Sequence, residues 1–178
     1  MMDPTPLASR LRPHKLSDLK GQEHLIKKGG LIAASIEAKV PVSLILWGPP
    51  GCGKTTLARI YAASFDANIL HFHPASSTLS EIKKWIDKIL EAPLFRRINI
   101  VFIDEIHRLN KAQQDALLPY VEEGTFHLIG ATTENPSFEL REALLSRAQV
   151  VRLKPLSDEA LAVILANALS QAKMTLGL

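Results

Sequence analysis

Cysteine is nearly absent from these 178 residues: Cys52 stands alone. No disulfide can form within the chain, which excludes the cross-linked secreted scaffold and fits a reducing compartment. Long apolar runs are missing too, none approaching the roughly 20 residues that span a bilayer, and the first residues lack the basic-then-apolar order of a secretory signal. Together these absences predict a soluble, intracellular protein. Charge of one sign is scarce: the formal net charge is +3, and the first forty residues supply it, through Arg10, Arg12, Lys15, Lys20, Lys27, Lys28 and Lys39 against Asp3, Asp18, Glu23 and Glu37. A weakly basic front end suits phosphate or nucleic acid, but scattered charge is also what a solvated surface carries, so charge alone names no partner. His71 and His73 share a strand face without a Cys or carboxylate at ligand spacing, which points to packing rather than metal. No serine has a His/Asp setting for covalent catalysis, and there is neither an internal repeat nor a low-complexity tract.

What is present is a regular alternation of short apolar runs with longer segments of helical period. Strands are expected at Ser43 to Trp47, Asn68 to Phe72, Asn99 to Ile103, Phe126 to Ala131 and Val150 to Leu153, most of them apolar throughout, as parallel strands covered on both faces are. Thr78 and Glu81 have capping-box spacing ahead of a helix whose Ile82, Trp85, Ile86, Ile89 and Leu90 share a face. Asn110 and Gln113 begin another, with Leu117, Leu118 and Val121 inward and Gly124 ending it. A helix is expected near His24 to Ala38, and Ser157 caps one from Asp158 to about Ala172. Strands and helices in strict turn predict a three-layer α/β sandwich with a parallel five-stranded sheet. Residues 1–155 form its single domain, Met1 to Gln22 being an extended arm, and the amphipathic helix in 156–178 gives the chain a truncated look.

Gly48-Pro49-Pro50-Gly51-Cys52-Gly53-Lys54-Thr55 satisfies G-x-x-x-x-G-K-[ST] between a strand and a helix, the setting this phosphate loop needs. Glycines let backbone N–H groups turn toward phosphate oxygens, the helix adds its positive end, and Lys54 adds a full charge at the β- and γ-phosphates. Thr55 would place its hydroxyl on Mg²⁺, and Thr56 continues the loop into the helix. Ile100-Val101-Phe102-Ile103-Asp104-Glu105 sets two carboxylates at the C-terminal end of a hydrophobic strand, where ligands of open α/β sheets bind. There Asp104 can hold Mg²⁺ through its water shell while Glu105 polarises the water that attacks the γ-phosphate, so the predicted reaction is ATP hydrolysis.

Thr132-Thr133-Glu134-Asn135 ends the fourth strand, and Leu144-Leu145-Ser146-Arg147 ends a short helix before the last. By themselves these suit ordinary strand-end residues and a surface salt bridge. If the sheet order resembles that of AAA+ proteins, however, the fourth strand ends beside the first and Thr133 could bond the attacking water or γ-phosphate; Arg147 could enter a neighbouring subunit's site, where such a finger adds ~10³-fold or more to turnover.

In combination, Gly48 to Thr55, Asp104-Glu105, Thr133 and Ser146-Arg147 resemble the AAA+ clamp-loader and Holliday-junction helicase branch. Pro6-Leu7-Ala8, Arg10 to Pro13, Gly21 to Leu25, Asp104 to Lys111 and Ile129 to Glu139 narrow the likeness to the RarA/MgsA/Werner-interacting-protein family, over nearly the whole chain. That resemblance implies an adenine slot drawn from Leu7 to Arg12 and Leu19 to Gln22, hence Leu7, Arg12, Gly21 and Gln22. It implies a DNA-stimulated homo-oligomeric ATPase working with ATP and Mg²⁺ at stalled or gapped replication forks, on single strands, ends or forks, alongside replication proteins. A bacterial, cytoplasmic and nucleoid-associated setting follows from it, without membrane partners. Relatives continue into a helical lid with a second sensor arginine and an oligomerisation region, of which 156–178 would be the start. Cys52 departs from the Thr or other small residue usual there, and the choice is between redox control and space filling, decided by whether its thiol is acidic.

Two other readings share these residues. A clamp-loader-like module would use ATP as an assembly switch, separable from a motor by how strongly DNA stimulates turnover. Asp104-Glu105-Ile106-His107 also spells the D-E-x-H of superfamily-two helicases, but the next motif is Ala131 to Asn135 rather than Ser-Ala-Thr, leaving His107 as a helix-start or supporting residue.

Overall fold

A computed structural model describes residues 12–74, 78–91 and 98–176. Five short strands, β1 (Leu44–Trp47), β2 (Ala67–Phe72), β3 (Ile98–Ile103), β4 (His127–Thr132) and β5 (Gln149–Arg152), pair in parallel in the order β2-β3-β4-β1-β5. Each lies within one residue of its sequence expectation. Successive side chains along a strand point to opposite faces, and in the three central strands β3, β4 and β1 both faces are covered. Leu44, Leu46, Ile100, Phe102, Ile129 and Ala131 enter one buried cluster, while Ile45, Val101, Ile103 and Leu128 enter another. That double burial is why the strands read as continuous apolar runs. Each fully buried Leu, Ile or Phe stabilises the sandwich by about 1.5–3 kcal/mol relative to exposure.

The first cluster is closed by α3 (Lys54–Ala63), through Leu57, Ala58, Tyr61 and Ala62, and by Ile32 of α2 (Leu31–Glu37). Tyr61 also fixes the approach to β1. Its hydroxyl lies 2.6 Å from Ser35 Oγ and accepts from Val42 N at 2.8 Å. The second cluster is closed by Ile86 of α4 (Leu79–Glu91), Leu117 of α5 (Lys111–Glu122) and Leu144 of α7 (Glu142–Leu145), the last preceded by α6 (Pro136–Glu139). Ser157 Oγ accepts from Ala160 N at 3.2 Å to start α8 (Asp158–Leu176), which runs beyond the expected end.

Two local expectations are revised. The single helix expected near His24 to Ala38 is α1 (Glu23–Ile26) followed by α2, because Gly29-Gly30 turns the chain, Gly29 at φ 88°. At α4 only half of the capping box forms. Thr78 N donates to Glu81 Oε2 at 3.0 Å, but the Thr78 hydroxyl pairs with Ser80 Oγ at 2.7 Å instead of a backbone amide. Of the arm, Met1 to Leu11 lie outside the described residues; Arg12 to Gln22 is non-helical apart from one 3-10 turn at Leu16–Asp18.

Candidate functional site

Parallel strands deliver their C-terminal ends to one edge of the sheet, and the polar residues of the motifs gather there. β1 ends at Trp47, and Gly48 N donates back to Thr132 O at 3.3 Å, so the loop opens directly beside the end of β4. Gly51 and Gly53 take φ values of 76° and 97°, the left-handed region in which consecutive N–H groups can face one concavity. Gly48 is fixed by crowding: a Cβ there would stand 2.8 Å from Leu153 O and 3.0 Å from Cys52 Sγ.

Lys54, the first residue of α3, is 8% exposed. Its Nζ donates to Gly48 O at 2.8 Å and Pro49 O at 2.9 Å, and no carboxylate pairs with it among the described residues. An ammonium held in a buried place by carbonyl dipoles alone is short of an anion. Thr55 Oγ1 donates to Asp104 Oδ2 at 3.0 Å across the gap between α3 and β3. Two hard oxygen donors thus stand together at the loop, the ligand chemistry Mg²⁺ prefers. The loop, the unpaired ammonium and this oxygen pair fit a Mg²⁺-bound polyphosphate.

Glu105 follows with φ 53° and ψ 49°, a left-handed conformation that costs a non-glycine residue about 1 kcal/mol or more. Its N–H donates to Asp104 Oδ1 at 3.2 Å. Its carboxylate Oε2 lies 3.2 Å from Nε2 of His107, whose Nδ1 lies 2.9 Å from Thr132 Oγ1. Thr133, half-buried, is the first residue past β4.

Beside the loop opens a cavity of about 880 Å³ lined by Arg12, His14 and Leu19 from the arm, Gly51 to Gly53 and Thr56 from the loop, and Leu161 and Ile164 from α8. Gln22 braces it from within the protein. Fully buried, its Nε2 donates to Cys52 O at 3.2 Å and Lys154 O at 2.8 Å, and its Oε1 accepts from Lys154 N at 3.0 Å. Neighbouring Gly21 packs against Leu156, whose Cδ2 would be 2.6 Å from any Cβ. Leu7 lies outside the described residues. Cys52 is 2% exposed, and burial pushes its thiol up from the ordinary range despite the Lys54 charge. Burial thus argues against an acidic thiol, and Cys52 Sγ packs close beside Gly48.

The structure brings together the loop Gly48 to Thr56 and Asp104, with Glu105 and Thr133 just past the ends of the neighbouring strands β3 and β4. Arg147 stands apart: it pairs with Glu122 on α5 and donates to Ala143 O at 2.8 Å and Ser146 Oγ at 2.9 Å. Sequence reasoning missed the bonding of Gln22 and, although it left His107 as a helix-start or supporting residue, the partners Glu105 and Thr132 that His107 joins. The only signal for the latter was a histidine two positions after an acidic pair.

A parallel sheet with a glycine-rich loop leading from its first strand into a helix, and an acidic pair ending the adjacent-but-one strand, defines the P-loop nucleoside-triphosphatase class. Residues 44–156 match the model of the ATPase family associated with various cellular activities. The chain belongs to that AAA family. It is similar to the replication-associated recombination protein A of Escherichia coli strain K12, 48% identical over 92% of this chain and 37% of the relative. It is likewise similar to ATPase WRNIP1 of Dictyostelium discoideum, 47% identical over 92% of this chain and 19% of the relative. The chain thus spans well under half the length of these curated relatives. Among solved structures, the Thermotoga maritima RuvB Holliday junction branch migration motor superposes with a TM-score of 0.75 at 34% identity, over 92% of this chain and 55% of that one.

Proposed function

We propose that this chain is the ATP-binding and ATP-hydrolysing core of a DNA-maintenance ATPase acting at replication forks or in recombination. The observation carrying the chemistry is the Thr55–Asp104 contact at 3.0 Å beside the buried, carboxylate-free ammonium of Lys54. The DNA context rests on the names of the relatives.

In this reading Gly48 to Thr56 bind the phosphates through backbone amides, with Lys54 answering their charge. Thr55 and Asp104 hold Mg²⁺, Asp104 largely through water, and the ion supplies charge neutralisation on the phosphate oxygens. Glu105 orients the attacking water and takes its proton; Thr133 bonds that water or the γ-phosphate. Arg12, with Leu7, Gly21 and Gln22, forms or supports the adenine slot; the arm's place in the cavity wall supports this. Arg147 is turned to its own α5 and serves a neighbouring subunit in trans, within a homo-oligomer. Residues 156–178 begin a helical lid over the cavity. The partners are DNA single strands, ends or forks and replication proteins, in the bacterial cytoplasm at the nucleoid.

The deciding experiment is steady-state ATP turnover by the full-length protein without DNA and with single-stranded, duplex-end and forked DNA, with Glu105→Gln as control. Stimulation by one DNA form, abolished in the control, is the expected result. Slow turnover indifferent to every DNA would favour an assembly switch, and turnover unchanged in Glu105→Gln would remove the hydrolytic reading.

A further inference from the structure

His107 sits in the 3-10 turn Ile106–Arg108 that leaves the strained Glu105 backbone. Its side chain is 18% exposed, against 43% for Glu105. Both ring nitrogens are engaged, Nε2 with Glu105 Oε2 at 3.2 Å and Nδ1 with Thr132 Oγ1 at 2.9 Å. Thr132 is itself 1% exposed, and its Oγ1 accepts from Glu134 N at 3.0 Å.

Donor and acceptor counting fixes the end of the chain at Glu105. An ionised carboxylate only accepts, so Nε2 carries the hydrogen toward Glu105. At the other end Nδ1 shares a hydrogen bond with the Thr132 hydroxyl, whose oxygen also accepts from Glu134 N at 3.0 Å and lies 3.3 Å from Glu134 O. The result is one continuous connection, from backbone just past β4, through a buried hydroxyl and a ring, to the carboxylate.

A glutamate side chain has three rotatable bonds, and His107 is the only partner of the Glu105 carboxylate among the described residues. The partner is rigid, anchored at its other end in the sheet. We propose that His107 is a positioning residue: it holds the Glu105 carboxylate in one orientation and ties it to the end of β4, so that Glu105 and Thr133 move together. The proposal rests on Glu105 acting as the base in ATP hydrolysis. It also gives the D-E-x-H spelling a physical meaning within this fold.

The test uses full-length protein, with kcat and KM from steady-state hydrolysis, nucleotide Kd from titration with a fluorescent ATP analogue, and thermal unfolding of each variant. His107→Ala is expected to lower kcat about 10- to 100-fold, the effect of a misplaced reacting group, while KM, Kd and melting temperature stay close to wild type. His107→Gln, whose amide nitrogen reaches the Nε2 position and can still donate to Glu105, should recover much of the loss. His107→Asn, which reaches only toward Thr132, should not. Thr132→Val should lower kcat alone but add little in the His107→Ala background, because the two residues act through one connection. A wild-type or raised kcat in His107→Ala overturns the proposal. So does equal rescue by Asn and Gln, or a loss matched by weaker nucleotide binding and a lower melting temperature. Full turnover in Glu105→Gln would instead strike the hydrolytic reading on which the proposal stands.

Discussion

Lys54 and Glu105 separate binding from chemistry. The ammonium faces carbonyl oxygens in a buried place, so Lys54→Ala removes the cation that a polyphosphate would meet. ATP affinity should drop about 10- to 100-fold, the worth of a charge-assisted hydrogen bond, measurable by fluorescent-nucleotide titration. Glu105→Gln keeps shape and removes the basic oxygen, so binding should persist while turnover falls about 10²- to 10⁴-fold. His127 makes a prediction independent of nucleotide. Burial holds its ring below the ordinary value of 6.5. Between 6.5 and that lower value the unfolded chain takes up a proton the native state refuses. This contribution to stability is therefore complete above 6.5 and is lost as pH falls below it. His127→Gln should flatten the decline in urea midpoint between about pH 7.5 and about pH 5.5; an unchanged slope would assign the acid sensitivity to other groups.

At the scale of elements, the two capping sequences look alike but differ in what they bond. Asn110 Oδ1 accepts from Gln113 N at 2.8 Å and Gln113 Oε1 accepts from Asn110 N at 2.9 Å, a complete reciprocal pair. Asn110→Ala should cost about 1 kcal/mol in equilibrium unfolding. Thr78→Ala should cost less, since the Thr78 hydroxyl bonds Ser80 rather than a helix amide. Equal losses would show that the hydroxyl at Thr78 caps α4 in solution after all. The same contrast explains why element positions were legible and their internal joints were not. Apolar period marks α4 and α5 and apolar runs mark the strands, whereas the break at Gly29-Gly30 depends on a turn that adds no period of its own.

At the scale of the whole molecule, the sheet order decides which residues can meet. Placing β4 between β3 and β1 sets Thr132 and Thr133 against both the acidic pair and the phosphate loop. Arg147 lies beyond that meeting point, paired with Glu122. If it serves a neighbour, Arg147→Ala and Glu105→Gln are each deficient for different reasons, and one contributes an intact site where the other contributes an intact finger. Mixing the two full-length variants should restore ATPase activity well above the sum of their separate rates. Absence of recovery in assembled mixtures would refute the trans role.

The sequence by itself determined the class of fold and the phosphate chemistry. Short runs apolar nearly throughout, alternating with helical segments, read as parallel strands of a covered sheet, and the glycine-rich loop carries its function in backbone conformations that specific residues dictate locally. The pairing of Thr55 with Asp104 could be anticipated because both motifs end at the same sheet edge. What tertiary structure alone decided were contacts between residues far apart in the chain whose individual types are unremarkable. Gln22 reaching Lys154, Arg147 reaching Glu122 and His107 reaching Thr132 depend on strand order and register. Those are properties of how whole elements pack, and no local periodicity encodes them.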